Sequence, residues 1–111
     1  MTSSKSSDAA PARSSSDAAL EPYVFRLYVG GSTPASARAV VNARRIFEKH
    51  LKGRYRLEIL DVADNIVRAT LDQVVATPTL VKLAPLPLRR FIGDLSNVER
   101  IVDGLYLNTT G

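Results

Sequence analysis

Two short stretches of this 111-residue chain carry residue types that could do chemistry: Gly30-Gly31-Ser32-Thr33, just after an apolar run, and Ala76-Thr77-Pro78-Thr79-Leu80, at the mouth of a second one. Hydroxyls in a turn that opens a helix can hold an anion, because first-turn N–H groups lack intrahelical acceptors. Ser32 and Thr33 could serve glutathione or another anion in this way. Helix capping by Thr33 ahead of Pro34 explains both residues more simply. The chain has no cysteine, which excludes a thiol nucleophile, a disulfide and a Cys-based metal site. A single histidine, His50, excludes a His-cluster metal site and a two-His relay. It is expected to be packed or half exposed beside a helix face, not catalytic. The expectation is a protein with no catalytic residue, no metal and no cofactor.

The elements that must position these stretches read as follows. YVFRLYV (Tyr23 to Val29) is an apolar, aromatic run broken only by Arg26; it predicts a buried strand with Arg26 near an edge or exposed end. Thr33-Pro34 starts a helix expected to reach about Lys52 and to stop near Gly53. Ala39, Val40, Ala43, Ile46, Phe47 and Leu51 line one face of it, and Arg38, Arg45, Lys49 and Lys52 the other. Tyr55 to Val62 alternates as a half-buried strand, which one βαβ crossover makes parallel to the first. Ile66 to Val75 predicts a short second helix with Ile66, Val67, Leu71, Val74 and Val75 inward, although its β-branched residues argue against it. Thr79 to Ala84 is a strand ended by Pro85-Leu86-Pro87. Leu88 to Gly93 is another, and Asp94 to Asn97 caps a final helix from about Val98 to Leu107. Gly104 falls inside that helix, where glycine costs about 1 kcal/mol relative to Ala, so Gly104→Ala is expected to strengthen it. The order is βαβαββα.

Composition sets the remaining bounds. A hydrophobic content of 45% suffices for one modest core, so a single α/β domain over residues 23–107 is expected. Residues 1–22, rich in Ser, Ala, Asp and Pro with no aromatic, are expected to be a disordered tail, and 108–111 a short C-terminal one. No apolar run approaches the roughly 18–20 residues of a membrane span, and a cytoplasmic location is expected. The net charge of +4 favours acidic partners or simply a solvated basic surface. The basic residues are not interleaved with aromatics, which argues against nucleic acid.

The βαβαββα order with Ala-Thr-Pro-Thr-Leu resembles thioredoxin-like domains, in which a cis proline such as Pro78 faces a Cys-x-x-Cys pair. Here that turn is Gly30-Gly31-Ser32-Thr33, and the redox reading fails on chemistry. The segments LYVGGSTPASARA (27–39), LKGRY (51–55), LDV (60–62), ATPTLVKLAPLPLRRFIGDLSN (76–97) and ERIVDGL (99–105) are similar, in order and almost without gaps, to the KaiB family of circadian-clock proteins. That resemblance implies a binding protein, not an enzyme: one that binds the hexameric ATPase KaiC and modulates its phosphorylation cycle and signalling output. KaiA or a clock histidine kinase are the further partners it implies. It implies two folds as well, the thioredoxin-like one and a tetrameric ground state of order βαββααβ; a dimer or tetramer is therefore an expected alternative state. Pro78, Pro85, Pro87 and Gly104 lie where those folds would differ. X-Pro bonds have a small cis penalty and isomerise slowly, so prolines can serve a structural switch without redox chemistry.

Basic residues inside the matching segments are the expected contacts to KaiC: Arg38, Lys82, Arg89 and Arg90. The chain departs from the family pattern in places. A three-proline run is here Pro85-Leu86-Pro87, and Tyr106 stands where an acid is usual. Loss of an acid from a helix's last turn favours that helix by about 0.3–1 kcal/mol, which tilts the chain towards the thioredoxin-like state. The competing functional reading is a cysteine-free, thioredoxin-like small-ligand or glutathione-related protein.

Overall fold

The computed structural model describes residues 22–106 of the chain. The tail expectations for 1–22 and 108–111 fall, Pro22 aside, outside the described residues. Four strands and three helices follow one another as β1 (Tyr23–Val29), α1 (Pro34–His50), β2 (Tyr55–Asp61), α2 (Ile66–Leu71), β3 (Thr79–Ala84), β4 (Arg89–Ile92) and α3 (Val98–Tyr106), with a single 3-10 turn at Val62–Asp64. The sheet order is β2-β1-β3-β4. β1 pairs parallel with β2 and antiparallel with β3, which pairs antiparallel with β4. This is the thioredoxin-like α/β arrangement that the pattern predicts.

Period-2 alternation sends β1 residues to two different layers. Tyr23, Phe25, Leu27 and Val29 enter the main core with Ala39, Ala43, Ile46, Phe47 and Leu51 of α1 and its end, and with Ile101 and Leu105 of α3. Phe25 and Phe47 stack with ring centroids 4.0 Å apart and planes 15° from parallel, an arrangement worth about 0.5–1.5 kcal/mol beyond its buried area. Tyr28 enters a smaller core on the opposite face with Leu60, Ala69 and Val81. α1 and α3 therefore cover one face, and α2 only part of the other.

Local signals set the helix ends. The Thr33 Oγ1 accepts the Ser36 N–H at 3.2 Å, and Pro34 occupies the first turn. Ahead of α3, the Asn97 Oδ1 accepts the Arg100 N–H at 3.2 Å. α1 ends at His50, where Leu51 leaves helical geometry, two residues short of the expectation.

Three readings of the sequence are corrected here. α2 stops at Leu71 instead of reaching Val75, because Gln73 takes a positive φ of 59° and ends the helix. Of the five residues expected inward, only Val74 packs on the core, half-buried beyond the helix end; Ile66, Val67, Leu71 and Val75 are 64%, 71%, 76% and 84% exposed, and Ala69 is the residue of α2 that is buried. A helix this short has room for one buried side chain, and the sheet beneath it is already closed by Tyr28, Leu60 and Val81. Arg26 is not near an edge either. It sits in the middle of the central strand, where carboxylates offset its charge. Finally, the expectation that Gly104→Ala strengthens α3 fails on packing. Gly104 is buried, and a Cβ there would lie within 2.5 Å of the Phe91 Cε1.

Candidate partner-docking site

The turn that would hold a redox pair is filled by capping. The Ser36 Oγ accepts the Gly30 N–H at 3.0 Å, so the hydroxyls of Thr33 and Ser36 are engaged with backbone. Pro78 is buried beside this turn, and the peptide bonds before Pro78, Pro85 and Pro87 are all cis. Gly30 and Thr77 touch so closely that a Cβ on residue 30 would lie 2.6 Å from the Thr77 Oγ1. The two stretches singled out by their chemistry thus meet, with Thr77 packed directly against Gly30 and Ser32 left exposed beside them. Among the described residues no group of three or more His, Asp or Glu could hold a metal ion, and no helix is long and apolar enough to cross a membrane.

The opposite face carries the polar machinery that the sequence did not disclose. The Asp72 carboxylate, just past α2, accepts hydrogen bonds from the Tyr28 hydroxyl at 2.5 Å and from the Arg26 Nη1 at 2.9 Å. The Arg90 Nε donates to the Asp72 carbonyl at 2.8 Å. Glu58 on β2 takes a bidentate pair from Arg68 of α2, at 2.7 and 3.0 Å. These bonds tie α2 and its exit turn to β1, β2 and β4. They replace the apolar burial that α2 lacks.

Burial alone would raise the Asp72 carboxyl, but hydrogen bonds from Tyr28 and Arg26 outweigh it and hold the group below its ordinary value. Burial and the same carboxylate push the Tyr28 hydroxyl up. The sign for stability follows. A depressed carboxyl stabilises the fold fully above its unfolded-state pKa, and the contribution is lost as pH falls through the lower folded value. Asp72→Asn is therefore expected to cost about 1–3 kcal/mol at neutral pH and to flatten the acid limb of the stability curve. Urea unfolding at neutral pH and again at a pH below the ordinary carboxyl range checks both. An unchanged midpoint at neutral pH would show that the carboxylate does not hold the turn.

With α2 tied down by charges, its apolar side chains are left pointing to water. Val67 and Leu71 stand at i and i+4 and so are neighbours on one face; Ile66 flanks them, and Val75 follows the exit turn. Large apolar side chains concentrated on one segment mark a contact surface more often than singly exposed ones do. Charged groups border the segment: the Arg68–Glu58 pair and Arg90. It is a candidate surface for docking a protein.

The four basic residues expected to make contacts are not brought together. Arg38, on α1, pairs with Asp94 at 3.0 Å and stays largely exposed. Arg90 is exposed on the α2 side of β4, held by Asp72 and Gln73. Arg89 faces the other way, towards α3. Lys82 is corrected outright: it is 0% exposed, and its Nζ donates to the Pro85 carbonyl at 2.5 Å. Burial and the neighbouring Arg89 push the ammonium's pKa down. A side chain enclosed by the sheet face in this way offers a partner no charge, so reversal at Lys82 tests the fold and not docking. Alternation along β3, with Leu80 and Lys82 on one parity, was the signal for its burial.

Comparison with known proteins follows the geometry. The family model described as "KaiB domain" matches residues 26–106. The chain is 51% identical to the circadian clock oscillator protein KaiB of Thermosynechococcus vestitus over 85 residues, covering 77% of this chain and 79% of that protein. It is 47% identical to the protein of the same name from Synechococcus elongatus, over 77% of this chain and 83% of that one. Among solved structures it is similar to the N-terminal domain of Synechococcus elongatus SasA, with a TM-score of 0.66 at 23% identity, covering 95% of this chain and 90% of that one. Mitochondrial thioredoxin 3 of Saccharomyces cerevisiae matches with a TM-score of 0.62 at 15% identity, over 76% of this chain and 79% of that one. At these identities the two structures speak for the fold alone.

Proposed function

The chain belongs to the KaiB family of circadian clock proteins, and from that premise we propose that it regulates a KaiC-like hexameric ATPase by docking on it and changing its phosphorylation cycle and signalling output. The observation that carries the docking is the outward-facing apolar segment 66–75, with Ile66, Val67, Leu71 and Val75 all largely exposed. A surface of this kind is stable in water as a small area and gains by burial against a partner. Arg90 and the Arg68–Glu58 pair at its border supply orientation and association rate more than affinity. Arg38 and Arg89 lie on other surfaces and would serve separate contacts, to a clock histidine kinase or a KaiA-like protein.

The described fold is the binding-competent state in this proposal. Exchange with a second, oligomeric fold would then act as a brake, since a ligand's apparent affinity falls with the fraction of chains in the competent state. Pro78, Pro85, Pro87 and Gly104 all lie in the half that such an exchange would rebuild. The geometry gives a glutathione-related role little support, because Thr33 is engaged in capping and Thr77 packs against Gly30, which among the described residues leaves an exposed Ser32 with no enclosed pocket around it.

Size-exclusion chromatography of the chain with the KaiC-like hexamer, in ATP and in ADP, tests the proposal. Co-elution in at least one nucleotide state is expected. Separate elution in both would overturn it.

A further inference from the structure

Next to the Asp72-Gln73 turn, which Arg90 holds, β4 ends the sheet, and among the described residues its outer edge is unpaired. The Gly93 N–H donates to the Pro78 carbonyl at 2.9 Å, so Gly93 turns its backbone towards β3. Antiparallel ladders alternate; Arg89 and Phe91 therefore also turn towards β3, and Arg90 and Ile92 present their N–H and C=O groups outwards. Beside this edge lies a cleft of about 480 Å³, lined by Arg89, Phe91 and Asn97 and by Arg100 and Gly104 of α3. The absence of a side chain at Gly104 lets α3 lie flat against the Phe91 ring.

The charges at this edge are unbalanced. Arg89 and Lys82 are directly opposite one another on β4 and β3, and like charges so placed repel. Among the described residues neither has a carboxylate within ion-pair distance. Among the described residues the buried Arg89 Nε has no hydrogen-bond partner, a state that costs free energy until an acceptor arrives. Arg100 lines the cleft with Arg89 and adds a positive charge there, whereas Lys82 is enclosed behind them. Glu99 and Asp103 also line it but do not pair with Arg89. On the other side of the edge, Ile92 is 62% exposed.

We infer that the outer edge of β4 accepts an extended acidic segment of a partner protein as a fifth strand, with acidic side chains towards Arg89 and Arg100 and apolar side chains over Ile92. Strand addition of this kind takes affinity from the main chain and specificity from alternate side chains. The Arg89–Arg100 cleft lies on the face opposite segment 66–75, while Ile92 shares the face of Arg90 at that segment's border; the fifth strand goes beyond docking to the hexamer.

The test uses the full chain and three end-capped peptides of the same length: alternating glutamate and valine, alternating lysine and valine, and the first with N-methyl groups along one edge. The glutamate peptide is expected to shift and protect the Arg90 and Ile92 amides in nitrogen-15 spectra. The lysine and N-methylated peptides are expected to bind at least about tenfold more weakly. Arg100→Glu should weaken the glutamate peptide by about tenfold, as one charged contact of about 1.4 kcal/mol requires. Ile92→Pro removes an outward donor, as tolerated at sheet edges, and should abolish protection at residue 92's neighbours. Where that variant fails to fold, the N-methylated peptide on the native chain asks the same question. No binding, equal binding of the lysine peptide, shifts confined to β2, or occupation of this edge by a second copy of the chain would each overturn the inference.

Discussion

Gly104→Ala will lower the stability of the described fold by about 1–3 kcal/mol, the usual cost of forcing a methyl group into a packed core. Intrinsic propensity argues the opposite, since alanine is about 1 kcal/mol better than glycine inside a helix. Packing wins because the space is already occupied. A Cβ at 104 would lie within 2.5 Å of the Phe91 Cε1, so the ring must leave its packed position in the main core and shift towards the adjoining cleft. If the chain exchanges with a fold lacking a helix over 98–106, the same substitution moves the population away from the described state. Each 1.4 kcal/mol is a factor of ten in that equilibrium. Urea unfolding of the two chains measures the first effect, and stopped-flow association with the hexamer the second. A raised unfolding midpoint in Gly104→Ala would show that propensity governs this position after all.

Much of the fold was legible because its signals are local. The Thr33-Pro34 start, the stripe from Ala39 to Leu51 and the alternation from Tyr55 to Ile59 each fix an element without help from the rest of the chain. The candidate site was not legible for the opposite reason. Ile66, Val67 and Leu71 look like core residues, and nothing local tells that the sheet under α2 is already filled by Tyr28, Leu60 and Val81. Asp72 likewise looks like any polar residue at a helix end. Its role depends on Tyr28 and Arg26, more than forty positions away. Lys82 was misplaced because its charge outweighed its parity: it shares a face with Leu80, and the Pro85 carbonyl lets the ammonium stay inside.

Leu71→Asp will weaken binding to the KaiC-like hexamer by about thirtyfold or more, since a carboxylate buried in an apolar contact costs about 2 kcal/mol or more at a central position. Stability should hardly change. Leu71 is 76% exposed, and surface substitutions of that kind usually stay within about 0.5 kcal/mol. Val41→Asp is the matched control. Val41 is also an exposed apolar residue, 52% accessible, but it belongs to α1 on the other face of the sheet. Calorimetric titration of the hexamer with all three chains separates a docking surface from general charge repulsion. Equal losses for Leu71→Asp and Val41→Asp would remove segment 66–75 from the contact.

The same segment gives the central claim its most direct test, without any substitution. Hydrogen–deuterium exchange of the full chain should be measured alone and with the KaiC-like hexamer in each nucleotide state. Binding through the outward apolar face predicts slowed exchange at 66–75 and at the Asp72-Gln73 turn, while amides of α1, which faces away, keep their free rates. Slowed exchange confined to other elements, with 66–75 unchanged in every nucleotide state, would contradict the account.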